Sequence, residues 1–257
     1  GLNRSDMIAS TLTSGNYYTC GINNNGGVQC WGDDSNSIVS DTPSGTFTAL
    51  ASGDYFIKIW SDPATAPIRS LNVGSRRPTG VALSPGGHLV AYFIPTEGQA
   101  KIVEVSSGAI VHSEKLNEGN YSQLDQEGAS VFSKDGKLLA IGGGLGRIVI
   151  LRVPDWTPFP IKPLVTGRVT TLAFSPDGSR LVAGSLFQDP RVSVFDLTGE
   201  GNDVRLAGHS GFISKVAFSP DGRLLASGSG DQNIKLWRTS DCPYPAATAT
   251  CLRPLPR

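Results

Sequence analysis

Two short sequence patterns recur along most of this chain at a nearly constant spacing. Apolar segments ending at residues 60, 105, 151, 195 and 237 are separated by 45, 46, 44 and 42 residues. A turn sequence precedes each of the last four, and these turns are Ser84-Pro85-Gly86-Gly87, Ser133-Lys134-Asp135-Gly136, Ser175-Pro176-Asp177-Gly178 and Ser219-Pro220-Asp221-Gly222. Two independent markers with one period predict tandem units of about 45 residues that stack on each other.

The last unit, residues 205–237, shows the pattern of strands most clearly. Three apolar runs, FISKVAF, RLLASGS and NIKLW, are separated by residues typical of turns. Ser219-Pro220-Asp221-Gly222 suits a type I turn, because proline fixes φ at the second position and glycine closes the turn. Residues 228–233 supply the next reversal. The pattern predicts antiparallel strands joined by tight turns.

This unit resembles a WD repeat, the four-stranded blade of a β-propeller. Gly208-His209 opens it, and Trp237-Arg238 stands where the family has its Trp-Asp pair. The resemblance implies an all-β propeller of about five, or six, four-stranded blades over residues 47–257, with a hybrid or incomplete N-terminal blade. It also implies a hydrogen-bonded network within the blade, whose members here are His209, Ser227, Asp231 and Trp237.

The composition of this network resembles that of a Ser-His-Asp catalytic triad. A buried indole N–H and a buried imidazole need hydrogen-bond partners, so the same residues serve an architectural purpose. No oxyanion or substrate-pocket pattern accompanies them in the sequence. We therefore interpret the four residues as a structural network and expect no catalytic residues and no enzyme activity.

The N-terminal residues 1–46 have a different character. Residues 11–32 read as a hairpin with an Asn/Gly-rich turn at residues 23–27. The hairpin resembles a repeat of the regulator-of-chromosome-condensation type, and the matching residues are Gly15, Thr19, Cys20, Gly26 or Gly27, Val28, Cys30, Trp31 and Gly32. Because only about one such repeat is present, we expect it to form part of the first blade or to cover its edge, without a nucleotide-exchange function.

The four cysteines fall into two local pairs. Cys20 and Cys30 lie opposite one another if Ile22 pairs with Val28, and directly opposed residues of an antiparallel pair are close enough for a disulfide. Cys242 and Cys251 flank a proline-rich turn. Two disulfides favour an extracytoplasmic location and four free thiols a cytoplasmic one, and both alternatives stay open. The spacing does not suit zinc, and we expect no metal or cofactor.

Charge and hydropathy limit the classes of partner. Lys+Arg and Asp+Glu both number 22, so the formal net charge is +0, which removes the usual electrostatic argument for nucleic acid. No apolar run reaches the length of a membrane span. We expect a protein or peptide partner, with no nucleic acid and no membrane span.

Residues 249–255 resemble the outer strand of a WD repeat, disturbed by Pro254.

The loops at one end of the blades are the predicted binding surface. In propellers of this kind they precede the first strand and join the second to the third. Charged and apolar residues there that suit a protein partner are Arg76, Arg77, Tyr121, Arg168, Leu186 and Phe187. The leading hypothesis is a non-catalytic scaffold that binds a protein or peptide on this rim. The alternatives are a propeller that binds a small molecule or sugar, or hydrolyses a substrate, in its central funnel, and a truncated or recombined propeller without a function of its own.

Overall fold

The structure is a computed structural model of the chain, and its secondary structure is antiparallel β throughout the part that it describes. It describes residues 13–14, 18–22, 28–32, 49–53, 56–60, 69–73, 78–116, 128–143, 145–161, 163, 165–186 and 190–239. No α-helix occurs within these ranges, and so none that could span a membrane. The all-β prediction is confirmed. The chain divides into two compact units, Gly1–Pro78 and Thr79–Arg257.

The first unit contains two three-stranded sheets. Their strands are β1 (Thr13–Ser14), β2 (Tyr18–Ile22), β3 (Val28–Gly32), β4 (Ala49–Gly53), β5 (Phe56–Trp60) and β6 (Arg69–Asn72), in the orders β1-β2-β3 and β4-β5-β6. The register of β2 and β3 pairs Ile22 with Val28 and Cys20 with Cys30, as the sequence predicted. A disulfide at this pair stays a prediction, and Cys242 and Cys251 lie outside the described residues.

The second unit contains four sheets whose strands follow one another along the chain. The first sheet has β7 (Thr79–Leu83), β8 (Leu89–Ile94), β9 (Gln99–Glu104) and β10 (Ile110–Lys115), and the second has β11 (Ala129–Phe132), β12 (Leu138–Gly142) and β13 (Ile148–Arg152). The third has β14 (Arg168–Phe174), β15 (Arg180–Leu186), β16 (Val192–Asp196) and β17 (Val204–Leu206). The last has β18 (Ile213–Phe218), β19 (Leu224–Ser229) and β20 (Ile234–Arg238). Consecutive strands pair within each sheet, as in propeller blades.

An irregular segment takes the place of a fourth strand beside β13. The Phe159 N–H donates to the Ile150 carbonyl at 2.8 Å, and the Ile148 N–H donates to the Pro163 carbonyl at 3.2 Å. Prolines at positions 154, 158, 160 and 163 supply no backbone donor, so a regular ladder cannot form there. The predicted outer strand of the last sheet, residues 249–255, lies outside the described residues.

The recurring turns have one geometry. In each, the N–H of the closing glycine donates to the carbonyl of the opening serine, at 2.8 Å for Gly87 and Ser84 and at 2.9 Å for the other three turns. The four closing glycines, at positions 87, 136, 178 and 222, have φ between +71° and +73°, a region that disfavours side chains. The predicted reversal at Ser219-Pro220-Asp221-Gly222, closed by glycine, is therefore present in all four turns at this end of the sheets.

Apolar clusters between successive sheets form the core of the second unit. One cluster joins Ile102 of the first sheet to Leu139 of the second, and another joins Ile150 of the second to Leu172 of the third. A third cluster joins Val194 to the fully buried Trp237 of the last sheet. Each internal sheet is therefore covered on both faces by its neighbours in the chain.

The register of β9 corrects one sequence alignment. Val90 pairs with Val103 as Leu225 pairs with Trp237, so Val103 is the counterpart of Trp237. The sequence spacing had placed this position at residue 105, two residues later. A shift by two keeps each side chain on its own face of a strand, which is why the apolar pattern did not reveal it.

Candidate functional site

The four predicted network residues form a continuous chain of hydrogen bonds in the last sheet. His209 Nδ1 lies 2.8 Å from Asp231 Oδ2, and His209 Nε2 lies 2.8 Å from Ser227 Oγ. The indole Nε1–H of Trp237 donates to the same Ser227 oxygen at 2.9 Å. His209 precedes β18, Ser227 belongs to β19, Asp231 follows β19 and Trp237 belongs to β20. The network therefore connects β19 and β20 with the loops before β18 and after β19.

Asp231 anchors the loop that precedes β18. Its carboxylate accepts hydrogen bonds from the Ser210 N–H at 3.0 Å and the Asn233 N–H at 2.9 Å, in addition to the His209 ring. Burial raises the pKa of the Asp231 carboxyl, but these hydrogen bonds outweigh it and hold the pKa well below its usual range. Asp231 is thus an ionised acceptor, and His209 Nδ1–H donates to it.

Burial of the serine distinguishes the network from a nucleophilic site. With Nδ1–H donating to Asp231, His209 Nε2 is hydrogen-bonded to the Ser227 hydroxyl, and Ser227 Oγ accepts from the Trp237 indole N–H. Ser, His and Asp thus have triad-like distances. Ser227 is nevertheless buried, and its oxygen lies between two rings. A substrate carbonyl cannot reach this oxygen, so the geometry suits an architectural role.

Two of the six predicted rim residues lie in the described part of the chain, and they are neighbours. Arg168 begins β14 and pairs in register with Leu186 at the end of β15. Both side chains are half-buried. The other four, Arg76, Arg77, Tyr121 and Phe187, lie outside the described residues. The pair occupies the same end of its sheet as the loops of His209 and Asp231 in the next sheet.

Two exposed apolar side chains at this end were missed by the sequence interpretation. Leu145, between β12 and β13, is 65% exposed, and Phe212, just before β18, is 42% exposed. The signal available in the sequence was a large apolar residue in or next to a loop at this end of the sheets. Phe212 was assigned to the apolar run of its strand, and for that reason it was not recognised as a loop residue. We use the name "rim patch" for Leu145, Arg168, Leu186 and Phe212.

Backbone contacts link the loops that carry the rim patch. The Val165 N–H donates to the Gly146 carbonyl at 3.0 Å, and the Val169 N–H donates to the Gly143 carbonyl at 3.2 Å. The Thr170 hydroxyl donates to the Ile213 carbonyl, which ties β14 to β18. These bonds hold the loop of Leu145, the start of β14 and the start of β18 next to one another. The rim patch is therefore carried by loops and strand ends of three successive sheets that are hydrogen-bonded to one another.

Phe212 is hydrogen-bonded through its backbone to the loop that follows β19, and its ring packs against that loop. The Gly230 N–H donates to the Phe212 carbonyl at 2.9 Å, and the Ser229 hydroxyl donates to the Gly211 carbonyl at 2.8 Å. A Cβ atom at Gly230 would lie 2.4 Å from the Phe212 ring. The absence of a side chain at Gly230 therefore leaves room for the Phe212 ring. The hydrogen bonds of Asp231 hold the loop before β18 and the loop after β19 together.

The first strands of the sheets carry small or apolar side chains with few titratable groups. The charged residues among these strands are Arg168 at the start of β14 and Lys215 on β18, and burial lowers the pKa of the Lys215 ammonium group. The Thr79 and Ser130 hydroxyls are buried without a hydrogen-bond partner. Within the described ranges, no three His, Cys, Asp or Glu side chains are grouped to hold a metal ion.

Antiparallel sheets of three and four described strands that pack on one another, with a His-Ser-Asp-Trp network in the last sheet, are characteristic of the class of WD-repeat β-propellers. The family model described as WD domain, G-beta repeat matches residues 162–196 and 203–238, the repeats that contain the third and last sheets of the second unit. A chain in the "Crystal Structure of Mitotic Checkpoint Complex" has a similar fold, with a TM-score of 0.65 and 18% identity over 88% of this chain and 69% of that chain. The predicted WD-repeat propeller is confirmed.

Sequence relatives agree with this class. Echinoderm microtubule-associated protein-like 2 of Homo sapiens and of Rattus norvegicus are each 27% identical to this chain over 194 aligned residues, in a match that covers 68% of this chain. The match covers 30% of those relatives, so the chain spans under a third of their length. WD-repeat propellers are generally protein-interaction scaffolds. The resemblance of residues 1–46 to a chromosome-condensation-regulator repeat stays a prediction.

Proposed function

We propose that the chain is a non-catalytic scaffold that binds a protein or peptide on the rim patch. The observation that carries the proposal is the exposure of Leu145 and Phe212 beside Arg168 and Leu186 on loops fixed by hydrogen bonds. Aromatic and arginine side chains are enriched among the residues that dominate protein–protein binding energies. The rigid loops add to this, because little conformational entropy is lost when an ordered surface binds.

Two observations favour binding over catalysis. The serine of the triad-like group is buried between two aromatic rings, and the first strands present small or apolar residues where a funnel enzyme would place acids or histidines. A sugar or small-molecule site would likewise need several convergent polar groups. The rim patch offers an apolar surface bordered by a cation instead, which suits a polypeptide.

Quantitative capture from an extract of the source organism tests this proposal. The bait proteins are the native chain, Phe212→Ala and Arg168→Glu, with Ile110→Ala as the matched control. Ile110 is also an exposed apolar residue, at 56%, but it lies on the outer strand β10 of the first sheet. We expect one partner to bind the native chain and the control equally and to bind each rim variant at least about tenfold less.

The outcome is interpreted only if all four proteins have the same circular dichroism spectrum and unfolding midpoint. A partner that binds both rim variants as well as the native chain would place the binding surface elsewhere and refute the rim proposal. Retention of a small molecule or glycan, with no polypeptide, would support the funnel alternative.

A further inference from the structure

Two glycines allow the loop before β18 and the loop after β19 to approach each other closely. A Cβ atom at Gly211 would lie 2.7 Å from the backbone nitrogen of Asp231 and 3.0 Å from the carbonyl carbon of Gly230. A Cβ atom at Gly230 would lie 2.4 Å, 2.8 Å and 2.9 Å from three atoms of the Phe212 ring. These distances leave no space for a side chain at either glycine as long as the neighbouring atoms stay in place.

The two glycines differ in what lies against them. Gly211 faces backbone atoms of the other loop, whereas the three nearest atoms at Gly230 all belong to the outer part of one aromatic side chain. The φ of Gly230 is outside the left-handed region, so its backbone conformation does not require a glycine. The close contact that a side chain would make at position 230 is therefore a contact with the Phe212 ring.

Hydrogen bonds fix the backbone on both sides of this contact. The Gly230 N–H donates to the Phe212 carbonyl at 2.9 Å, and the Ser229 hydroxyl donates to the Gly211 carbonyl at 2.8 Å. The same Ser229 oxygen accepts the Asp231 N–H at 3.2 Å, which closes the loop after β19 on itself. The Phe212 ring therefore lies between a fixed loop on one side and solvent on the other.

We propose that Gly230 is a positioning residue of the rim patch, which keeps the exposed ring of Phe212 in one orientation for the partner. The inference rests on the proposed function of the rim patch and gives Gly230 no contact of its own with the partner. With a side chain at position 230, the ring has to turn away from the loop and into solvent. A side chain that is ordered before binding loses less conformational entropy on binding than a mobile one.

A second route from Gly230 to binding has to be separated from this one. Gly230 is itself exposed, so a side chain at this position would also add bulk to the surface of the rim. An effect through the Phe212 ring disappears when the ring is removed, whereas an effect of added bulk on the partner persists. A double-mutant cycle of the two residues distinguishes the two routes.

The orientation of the ring is measured on the full chain without a partner. Three-bond couplings of the Phe212 side chain should show a single χ1 rotamer in the native chain and averaged values in Gly230→Ala. Gly228→Ala is the matched control, because its Cβ would lie at an ordinary 3.5 Å from Ser214 Oγ, and it should give the native couplings. Neither variant should unfold at a lower midpoint than the native chain.

Quantitative capture of the partner of the rim patch measures the consequence for binding. Gly230→Ala should retain this partner about two- to tenfold less than the native chain, and Gly228→Ala should retain it equally. In a Phe212→Ala background, Gly230→Ala should cause no further loss, because the residue acts through the ring alone.

Four results would overturn the inference. Averaged couplings in the native chain, or the native rotamer in Gly230→Ala, would mean that Gly230 does not position the ring, whatever the capture shows. A further loss in the Phe212→Ala background would mean that the added bulk acts on the partner directly. Full retention by Gly230→Ala with a displaced ring would show that orientation does not affect binding, and would leave the rim proposal intact. If no protein retains a polypeptide, the proposed function fails and this inference fails with it, even when the couplings show an ordered ring.

Discussion

Ser227 is the residue on which the buried polar chain of the last sheet depends. Its single hydroxyl accepts the Trp237 N–H and is hydrogen-bonded to His209 Nε2, so two buried rings share one partner. Both rings are almost completely enclosed. A buried donor or acceptor without a partner has lost its hydrogen bonds to water and gained none in return. Removal of the Ser227 hydroxyl should therefore be costly, because it leaves the groups of both rings without this partner.

Replacement of Ser227 by alanine should therefore lower the free energy of unfolding by about 2–6 kcal/mol, because two groups lose a partner at about 1–3 kcal/mol each. Urea unfolding followed by tryptophan fluorescence measures this change. Ser214→Ala on β18 is the matched control, since Ser214 is exposed and its loss should change stability by at most about 0.5 kcal/mol. Equal effects of the two substitutions would contradict the assigned role.

The recurring turns differ from one another in one side chain. In three turns an aspartate follows the proline or lysine, and its carboxylate accepts the hydroxyl of the opening serine, as in Ser133 and Asp135 at 2.6 Å. The first turn has Gly86 at this position, so the Ser84 hydroxyl lacks that acceptor. The first turn is therefore the least supported of the four.

Gly86→Asp should raise the free energy of unfolding by about 0.5–1 kcal/mol, because it adds the missing acceptor and restricts the unfolded chain. The new Cβ would lie 3.0 Å from the end of the His88 ring, which is exposed and able to rotate away. Gly87→Asp is the control and should destabilise, since Gly87 has φ of +72°. Thermal unfolding of both variants should give shifts of opposite sign, and a common sign would refute this account.

At the scale of the element, strands and turns were predictable where each repeat carries its own local signal. The turn sequences and the apolar third strands are enough to identify β8, β12, β15 and β19 and their neighbours from the residues alone. The outer segment beside β13 was not predictable in the same way, because its prolines remove the alternation that identifies a strand.

Exposure of a strand was less predictable than its existence. The segments IKIW and IKLW are nearly identical in sequence, yet the first is buried at Ile57 and the second is exposed at Ile234. Exposure depends on the neighbouring sheet, and a local sequence pattern contains no information about it. The rim patch escaped prediction in part for the same reason, since Phe212 belongs to an apolar run whose other members are mostly covered.

At the scale of the whole molecule, four ionised aspartates share one electrostatic property. Hydrogen bonds from the Ser133 and Ser219 hydroxyls are the main cause of the lowered pKa values of Asp135 and Asp221. At Asp177 and Asp231, burial raises the pKa and the combined hydrogen bonds lower it further than burial raises it. All four carboxyls therefore bind protons less readily in the folded chain than in the unfolded chain.

Stability should therefore be constant above about pH 5 and fall progressively below the ordinary aspartate pKa of 3.8, because the unfolded chain then binds more protons. Urea unfolding between about pH 7 and pH 2.5 measures this dependence. Asp231→Asn should be less stable at neutral pH and should lose less stability on acidification. A variant with the same acid dependence as the native chain would show that Asp231 is not among the responsible groups.

The order of strands within the sheets has a consequence for how such a chain is able to change in evolution. Since each sheet of the second unit uses consecutive strands, one uninterrupted stretch of the gene encodes each sheet together with its turns. Duplication or deletion of such a stretch adds or removes a complete sheet, and the remaining faces meet partners of the same kind. The side chains that fill these faces are of similar kind in each sheet, so a face can pack against a different neighbouring sheet. Recombination therefore changes the number of sheets more easily than it changes the strands and turns within one sheet.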